Sequence, residues 1–357
     1  MSSIAIIGAG NGGQAFAGYL AIQGHEVRIF DVVQDTIDQL NEKGGITIEG
    51  KSDVTGFGKL ALASTDMGAV LRGAEIVLVI LPSIYTASIA EKMSPYLEDG
   101  QYVMINPNAC LGVVEFRHVL NQCGCKAKIT LACSATLLFA CRAKEPGHVV
   151  ISGQKISFSA AALPASDNEK AAAVFNKLFP QWNFGDDVIR VALDNLNAMV
   201  HPSPSILNTG RIESGVDFEY YLDFTPSQGT FVDALDRERM AIAKAYDEPN
   251  VRSLVDEYLN MYETSGSNTY EVLTNCKGYD GIMGQKTLRT RYLLEDIPYS
   301  LVALQSLGRL AGVPTPNMDA IITIARTMVP EIAEGRTLKS LGLENASKED
   351  FIKLCRG

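Results

Sequence analysis

The first third of the chain alternates short, uniformly apolar runs with longer stretches whose apolar residues recur at helical spacing. Residues 4–7, 27–30, 76–81, 102–105 and 129–132 predict buried strands, and residues 14–23, 36–43, 85–96 and 113–122 predict the helices between them. Strands without a polar face, separated by helices, predict a parallel sheet covered on both sides. Past Cys141 the pattern changes: 148–152 and 155–159 predict antiparallel pieces, followed by a loop at 163–167 and a helix near 168–179. These predict a closing extension of the first domain. From about Asp186 the periodicity is helical, over 188–200, 231–246, 251–261, 297–311 and 318–328, with turns marked by Pro202, Pro204, Gly229, Gly278, Gly281, Pro298 and Pro314. The expected architecture is α/β: a doubly wound parallel sheet over residues 1–186, then an all-helical domain over residues 187–357.

Composition agrees with two packed domains. The chain has 357 residues, 46% hydrophobic and 20% charged, which is ordinary globular usage and exceeds the usual size of one core. A net charge of −10 disfavours phosphate backbones and anionic membranes as partners. The opening segment has no basic n-region and is broken by Gly8 and Gly10, so it predicts neither a signal peptide nor a membrane span, and the expected location is the cytoplasm. Seven cysteines without paired Cys-x-x-Cys spacing predict reduced thiols rather than a metal site.

Gly8-Ala9-Gly10-Asn11-Gly12-Gly13 follows the first strand and opens the first helix, the context in which G-x-G-x-x-G holds a dinucleotide. Gly8 permits the tight turn, Gly10 admits a pyrophosphate to the backbone, and Gly13 lets helix and strand pack closely; the helix N-terminus offers N–H groups to the anion. Asp31 ends the second strand, placed to accept bonds from the ribose hydroxyls. No Arg or Lys follows at Val32, Val33 or Gln34, so NAD is expected over NADP. The first domain therefore reads as Rossmann-type. Leu81, Pro82 and Ser83 end one later strand and Asn106-Pro107-Asn108 another, so Leu81, Pro82, Ser83 and Asn108 are expected near the ribose and nicotinamide.

Of four histidines, His25 lies in a turn, His118 in an amphipathic helix and His148 at a strand start. His201 ends a helix directly before prolines, where it can face a cleft and exchange protons or sit buried with partners. Arg211 and Glu213 lie downstream and read as a structural pair.

The Gly-Ala-Gly-Asn-Gly-Gly start, Asn106-Pro107 leading to Gly112 and Glu115-Phe116, residues 197–213 with His201-Pro202, residues 236–239, and Arg289-x-Arg291-Tyr292-x-x-Glu295-Asp296-Ile297-Pro298 together resemble the opine dehydrogenases. That family comprises octopine and nopaline dehydrogenases and bacterial carboxyethyl-amino-acid relatives, and the resemblance spans nearly the whole chain. It implies an oxidoreductase that condenses an amino acid's amine with a 2-oxo acid, often pyruvate, and reduces the imine with NADH. It also implies that His201 transfers protons while Asp296 sets its tautomer and stabilises its charged form, and that Arg291 clamps a substrate carboxylate. Ser134 and Thr136 are expected to hydrogen-bond the oxo acid, with Asn197 also at the substrate. The chain departs from the family pattern in lacking a Glu before that hydroxyl pair and in carrying Asn108 where relatives have Gly.

Two other readings stand beside this one. Glycerol-3-phosphate dehydrogenases and ketopantoate reductases resemble the chain in fold but depend on a lysine in the helical domain, and residues 186–275 contain only Lys244. A non-catalytic NAD sensor would keep the glycines with no reason to keep His201, Arg291 and Asp296 together. The amino donor and the oligomeric state stay open, a homodimer being one option.

Overall fold

The computed structural model describes residues 1–357. The chain divides into two compact units, one formed by residues 1–108, 112–191 and 353–357, the other by 109–111 and 192–352. No helix is long and apolar enough to cross a membrane.

The first unit carries twelve strands: β1 (Ser3–Ile7), β2 (Glu26–Phe30), β3 (Gly45–Gly50), β4 (Gly56–Lys59), β5 (Leu62–Ser64), β6 (Ile76–Val79), β7 (Tyr102–Ile105), β8 (Thr130–Ser134), β9 (Phe139–Glu145), β10 (His148–Gln154), β11 (Phe158–Leu163) and β12 (Trp182–Asn183). Eight of them form one sheet in the order β12-β11-β8-β7-β6-β1-β2-β5, parallel from β8 through β5. β6 is buried along its whole length, as a strand covered on both faces must be. Strand order reverses at β1, which pairs with β2 on one side and β6 on the other. Ligands of open sheets bind at the carboxyl ends beside such a reversal.

The antiparallel extension differs from the expected one. β10 pairs with β9, not with 155–159, and β11 starts at Phe158 and pairs antiparallel with β8 in the main sheet. The reason is burial. Ala160, Ala161 and Ala162 are all fully buried, which suits the interior of a sheet covered on both faces, whereas β10 alternates buried and less buried positions over its first half.

β9 and β10 join β3 and β4 in a second sheet, ordered β4-β3-β10-β9, most of which the periodicity did not predict. The helix Asn11–Ile22 explains it. Residues Gly13 through Leu20 are buried without interruption, so the helix has no solvent face and needs cover on the side away from the main sheet. The small sheet supplies that cover. An added Cβ on Gly18 would come within 2.8 Å of Ile48, and Phe16 packs edge-on against Phe139 and Phe179 at 5.0 and 5.1 Å.

The second unit is helical. Its longest helix, Pro226–Ala245, starts with proline at the first position, and Thr225 and Gln228 cap each other's backbone N–H groups reciprocally. Arg239 on this helix is 1% exposed and donates to Asp236, to Leu193 O and to Arg252 O. All its groups are directed inward, so the segment 236–239 holds the unit together.

The helix expected over 188–200 is interrupted. Asn195 Oδ1 accepts from Asn197 N while its amide donates to Ser300, and this Asx turn ends Val188–Leu193 and starts Asn197–Val200. The helix expected from 297 opens instead with a π-turn, Ile297–Leu301, before Val302–Leu310. The π-turn's carbonyls are satisfied by the buried Arg336: its backbone N–H donates to Pro298 O and its guanidinium to Tyr299 O. The segment carrying Asp296 is thereby fixed.

Candidate active site

The glycine turn is built as the sequence requires. Gly8 has φ +109°, and a Cβ there would lie 2.5 Å from Ile80 O and 2.7 Å from Leu81, so the turn and the end of β6 touch through glycine alone. A Cβ on Gly13 would stand 1.7 Å from Gly8 O, and one on Gly12 would press on Ile80 at 3.0 Å. Gly10 is different: an added Cβ meets nothing within 4 Å, and no side chain caps the helix it begins. The backbone N–H groups of that 12-residue helix therefore face open space with their positive end, which suits a pyrophosphate. Asp31 stands beside them, accepting from Ala9 N at 2.6 Å and from Val33 N at 3.0 Å.

The turns after β2 and β6 flank the glycine turn in the strand order and leave apolar surface uncovered: Val32 is 62% exposed and Tyr85 50%. A flat heteroaromatic base fits such a rim, so the residues present fit a dinucleotide. The Asn11 side-chain oxygen is engaged within the protein, accepting from Ala143 N. Pro82 caps the short 3-10 turn Ser83–Tyr85, in which Ser83 is buried. Asn108 is also buried; its side-chain oxygen accepts from Val113 N at the start of the helix Gly112–Gln122, and its N–H donates to Ser134 O. Ser134 ends β8 rather than lying on the loop, its hydroxyl donating to Thr136 O. Thr136 is half-buried.

In the second unit, His201 sits between the helices Asn197–Val200 and Pro202–Leu207 and is 8% exposed. Its N–H completes one helix by donating to Asn197 O. Its carbonyl accepts from Ser205 N, Ser205 Oγ and Tyr220 Oη, so the backbone beneath the ring is held by three donors. Nδ1 lies 2.8 Å from Asp296 Oδ2, and Nε2 lies 3.2 Å from Tyr221 Oη. The ring of Tyr292 stacks on the imidazole, centroids 4.0 Å apart and planes 14° from parallel. Asp296, 3% exposed, directly precedes the π-turn and spends an oxygen on the histidine.

The structure thus brings His201 and Asp296 together. It does not join Arg291 to Asp296: Arg291 is largely exposed and approaches Glu295 at 3.6 Å, a weak surface contact that leaves the guanidinium available. Asn197 is exposed at its helix start. Arg211 has its guanidinium 5.7 Å from the Phe218 ring centroid. Tyr220 and Tyr221 were not singled out from the sequence. Their signal was compositional: nine of the thirteen tyrosines fall between residues 220 and 299. Burial pushes the phenols of Tyr220 and Tyr221 well above their ordinary value, so both are neutral donors.

A dinucleotide cradle in the first unit fits an NAD-dependent oxidoreductase, and the second unit carries a buried His–Asp pair of the kind used for acid–base chemistry. Comparison with known proteins identifies which kind. The family described as NAD/NADP octopine/nopaline dehydrogenase, alpha-helical domain, matches residues 185–329, and that described as NAD-dependent glycerol-3-phosphate dehydrogenase N-terminus matches residues 3–115. The latter covers the dinucleotide half alone. An opine dehydrogenase from Arthrobacter sp. (strain 1C) is 38% identical over 342 residues, covering 95% of this chain and 94% of its own. Two solved structures of octopine dehydrogenase, one with NADH and L-arginine and one with NADH and pyruvate, superimpose with TM-scores of 0.83 and 0.80. Each is 20% identical; the first covers 96% of both chains, the second 99% of this chain and 98% of its own. The chain belongs to the opine dehydrogenase family.

Proposed function

We propose that this enzyme joins the amine of an amino acid to a 2-oxo acid, pyruvate foremost, giving a secondary-amine dicarboxylate, and runs the reverse oxidation. The buried His201–Asp296 pair carries the reading, because imine formation needs a group that gives a proton to a departing hydroxyl and later recovers it. When bound, the reduced nicotinamide supplies the hydride that turns the imine into the amine. The chain's own residues do the rest. The N–H groups after Gly10 hold the pyrophosphate, and Asp31 takes the ribose hydroxyls, where a 2′-phosphate would meet its charge; NADH is therefore the preferred form.

Asp296 accepts a hydrogen bond from Nδ1–H and so fixes the tautomer, leaving Nε2 to exchange protons. Arg291, the exposed guanidinium four residues before Glu295, clamps the oxo-acid carboxylate through its planar fork. In this reading Ser134, Thr136 and Asn197 are further substrate contacts, and Leu81, Pro82, Ser83 and Asn108 serve the ribose and nicotinamide. Pyruvate is favoured by the pyruvate complex of octopine dehydrogenase.

The experiment is NADH absorbance against the twenty amino acids, each with pyruvate or 2-oxoglutarate. Oxidation that requires both amine and oxo acid is the expected result. Oxidation by an oxo compound alone would mark a hydroxy-acid dehydrogenase instead.

A further inference from the structure

His201 has one open nitrogen. Asp296 occupies Nδ1 and the Tyr292 ring covers a face of the imidazole, so protons enter and leave His201 only through Nε2. The atom standing at Nε2 is the hydroxyl oxygen of Tyr221, 3.2 Å away. Either Tyr221 moves aside in every turnover or the proton passes through it.

The packing decides between these. Tyr221 is 6% exposed. Its ring stacks on Tyr279 at 4.0 Å and 19°, and meets Tyr220 edge-on at 4.9 Å. Tyr220 is itself anchored through its hydroxyl to Val200 O and His201 O, and Tyr279 through its hydroxyl to Tyr258. A ring held on two sides by anchored aromatics, with its hydroxyl on the histidine, is costly to swing out.

We propose that Tyr221 is a catalytic residue: its hydroxyl relays the proton between His201 Nε2 and the substrate. This rests on the acid–base role of His201. With Nδ1–H donated to Asp296, the neutral ring presents a lone pair at Nε2, and Tyr221 donates to it. When the ring is charged the direction reverses. Nε2–H then donates to Tyr221 Oη, which frees the phenolic proton for the carbinolamine hydroxyl of the substrate.

In the synthetic direction two protons move together. His201 gives its Nε2 proton to Tyr221 while Tyr221 gives its own to the carbinolamine oxygen. The C–O bond breaks with its electron pair and water departs. The nitrogen lone pair forms the C=N bond, leaving an iminium, a neutral histidine and an unchanged phenol. The phenol never needs to ionise, in keeping with burial that holds it neutral.

The test compares Tyr221→Phe with His201→Asn and the parent enzyme, by steady-state kinetics in H₂O–D₂O mixtures and by NADH titration and thermal melting. Phe keeps the stacking on Tyr279 and removes only the hydroxyl. The expected result is a fall in kcat of about 100-fold, the scale of a lost acid–base group, with NADH affinity and oxo-acid KM within twofold of the parent. The parent should show a curved dependence of kcat on deuterium fraction, as two moving protons require, and the variant a linear one. Turnover in Tyr221→Phe within twofold of the parent, or faster, overturns the relay if His201→Asn has lost activity. If His201→Asn is also active, the acid–base reading itself fails. A linear dependence in the parent, with Tyr221→Phe still impaired, makes Tyr221 a positioning residue and likewise overturns the relay.

Discussion

Nδ1 of His201 lies 2.8 Å from Oδ2 of Asp296, across 95 positions of sequence. The contact is made by two irregularities. Pro202 ends one helical turn at the histidine, and the π-turn Ile297–Leu301 begins directly after the aspartate. Neither partner is free to take another geometry: the His201 carbonyl has three donors, and Arg336 holds the carbonyls of Pro298 and Tyr299.

His201→Asn should lower turnover about 100- to 10,000-fold while NADH binding persists, because it removes the proton donor without touching the cradle. Asp296→Asn should cost a similar factor by allowing the wrong tautomer. Since the two act as one unit, the double variant should be little worse than either single one. Steady-state kinetics on all three decide it, and multiplicative losses would show independent roles.

Arg291→Lys keeps the charge and loses the planar fork. A charged hydrogen bond is worth about 1.5–3 kcal/mol, so the oxo-acid KM should rise roughly 10- to 150-fold with NADH affinity unchanged. The side chain is mostly exposed and its one ionic contact is the 3.6 Å approach to Glu295, so stability should not change. An unaltered oxo-acid dependence would place the clamp elsewhere.

Much of this was readable in the sequence, and the failures have physical causes. β1, the glycine turn and β2 are local features, set by an apolar run, glycine geometry and a terminal acid, and sequence reports local features well. The small sheet was missed because β3 and β4 carry Gly45, Gly50, Gly56 and Gly58, which read as turns. Gly45, Gly50 and Gly58 are used for close approach: a Cβ on Gly58 would lie 2.5 Å from Gly18 O on the buried helix.

That helix offered the overlooked clue. Ala15-Phe16-Ala17-Gly18-Tyr19-Leu20 has no polar face, and such a helix demands two covers. His201 and Asp296 were paired through resemblance, since no spacing rule joins residues 95 apart. Tyr220 and Tyr221 lie in a turn between helices, where periodicity carries no information, so their bonds to His201 were visible only once the chain was folded.

Asp31 has two tasks, and its variant should reveal both. Its carboxylate braces the glycine turn by accepting from Ala9 N and Val33 N, and in our reading it also receives the ribose. Asp31→Ala should weaken both cofactors through the lost brace but NADH far more, since removing the charge relieves repulsion of a 2′-phosphate. The ratio of NADPH to NADH efficiency should rise at least about tenfold, a difference of about 1.4 kcal/mol. A parent enzyme that already favours NADPH would sink the assignment.

The two glycines Gly10 and Gly13, three residues apart, should separate ligand binding from folding. A Cβ on Gly13 would stand 1.7 Å from Gly8 O, a backbone atom that cannot move without distorting the turn and shifting β1 from the helix. Gly13→Ala should therefore destabilise the first unit, by the 1–3 kcal/mol typical of overpacking or more, and lower its melting temperature. A Cβ on Gly10 meets nothing, and the residue has φ −73°, which alanine adopts freely. Gly10→Ala should melt like the parent, yet its methyl group would occupy the space that a pyrophosphate needs to reach the backbone. NADH affinity should fall at least about tenfold in this variant without loss of stability. Thermal melting and NADH titration on the pair read the two effects separately. Full NADH affinity in Gly10→Ala would mean that the phosphates do not pass over this turn.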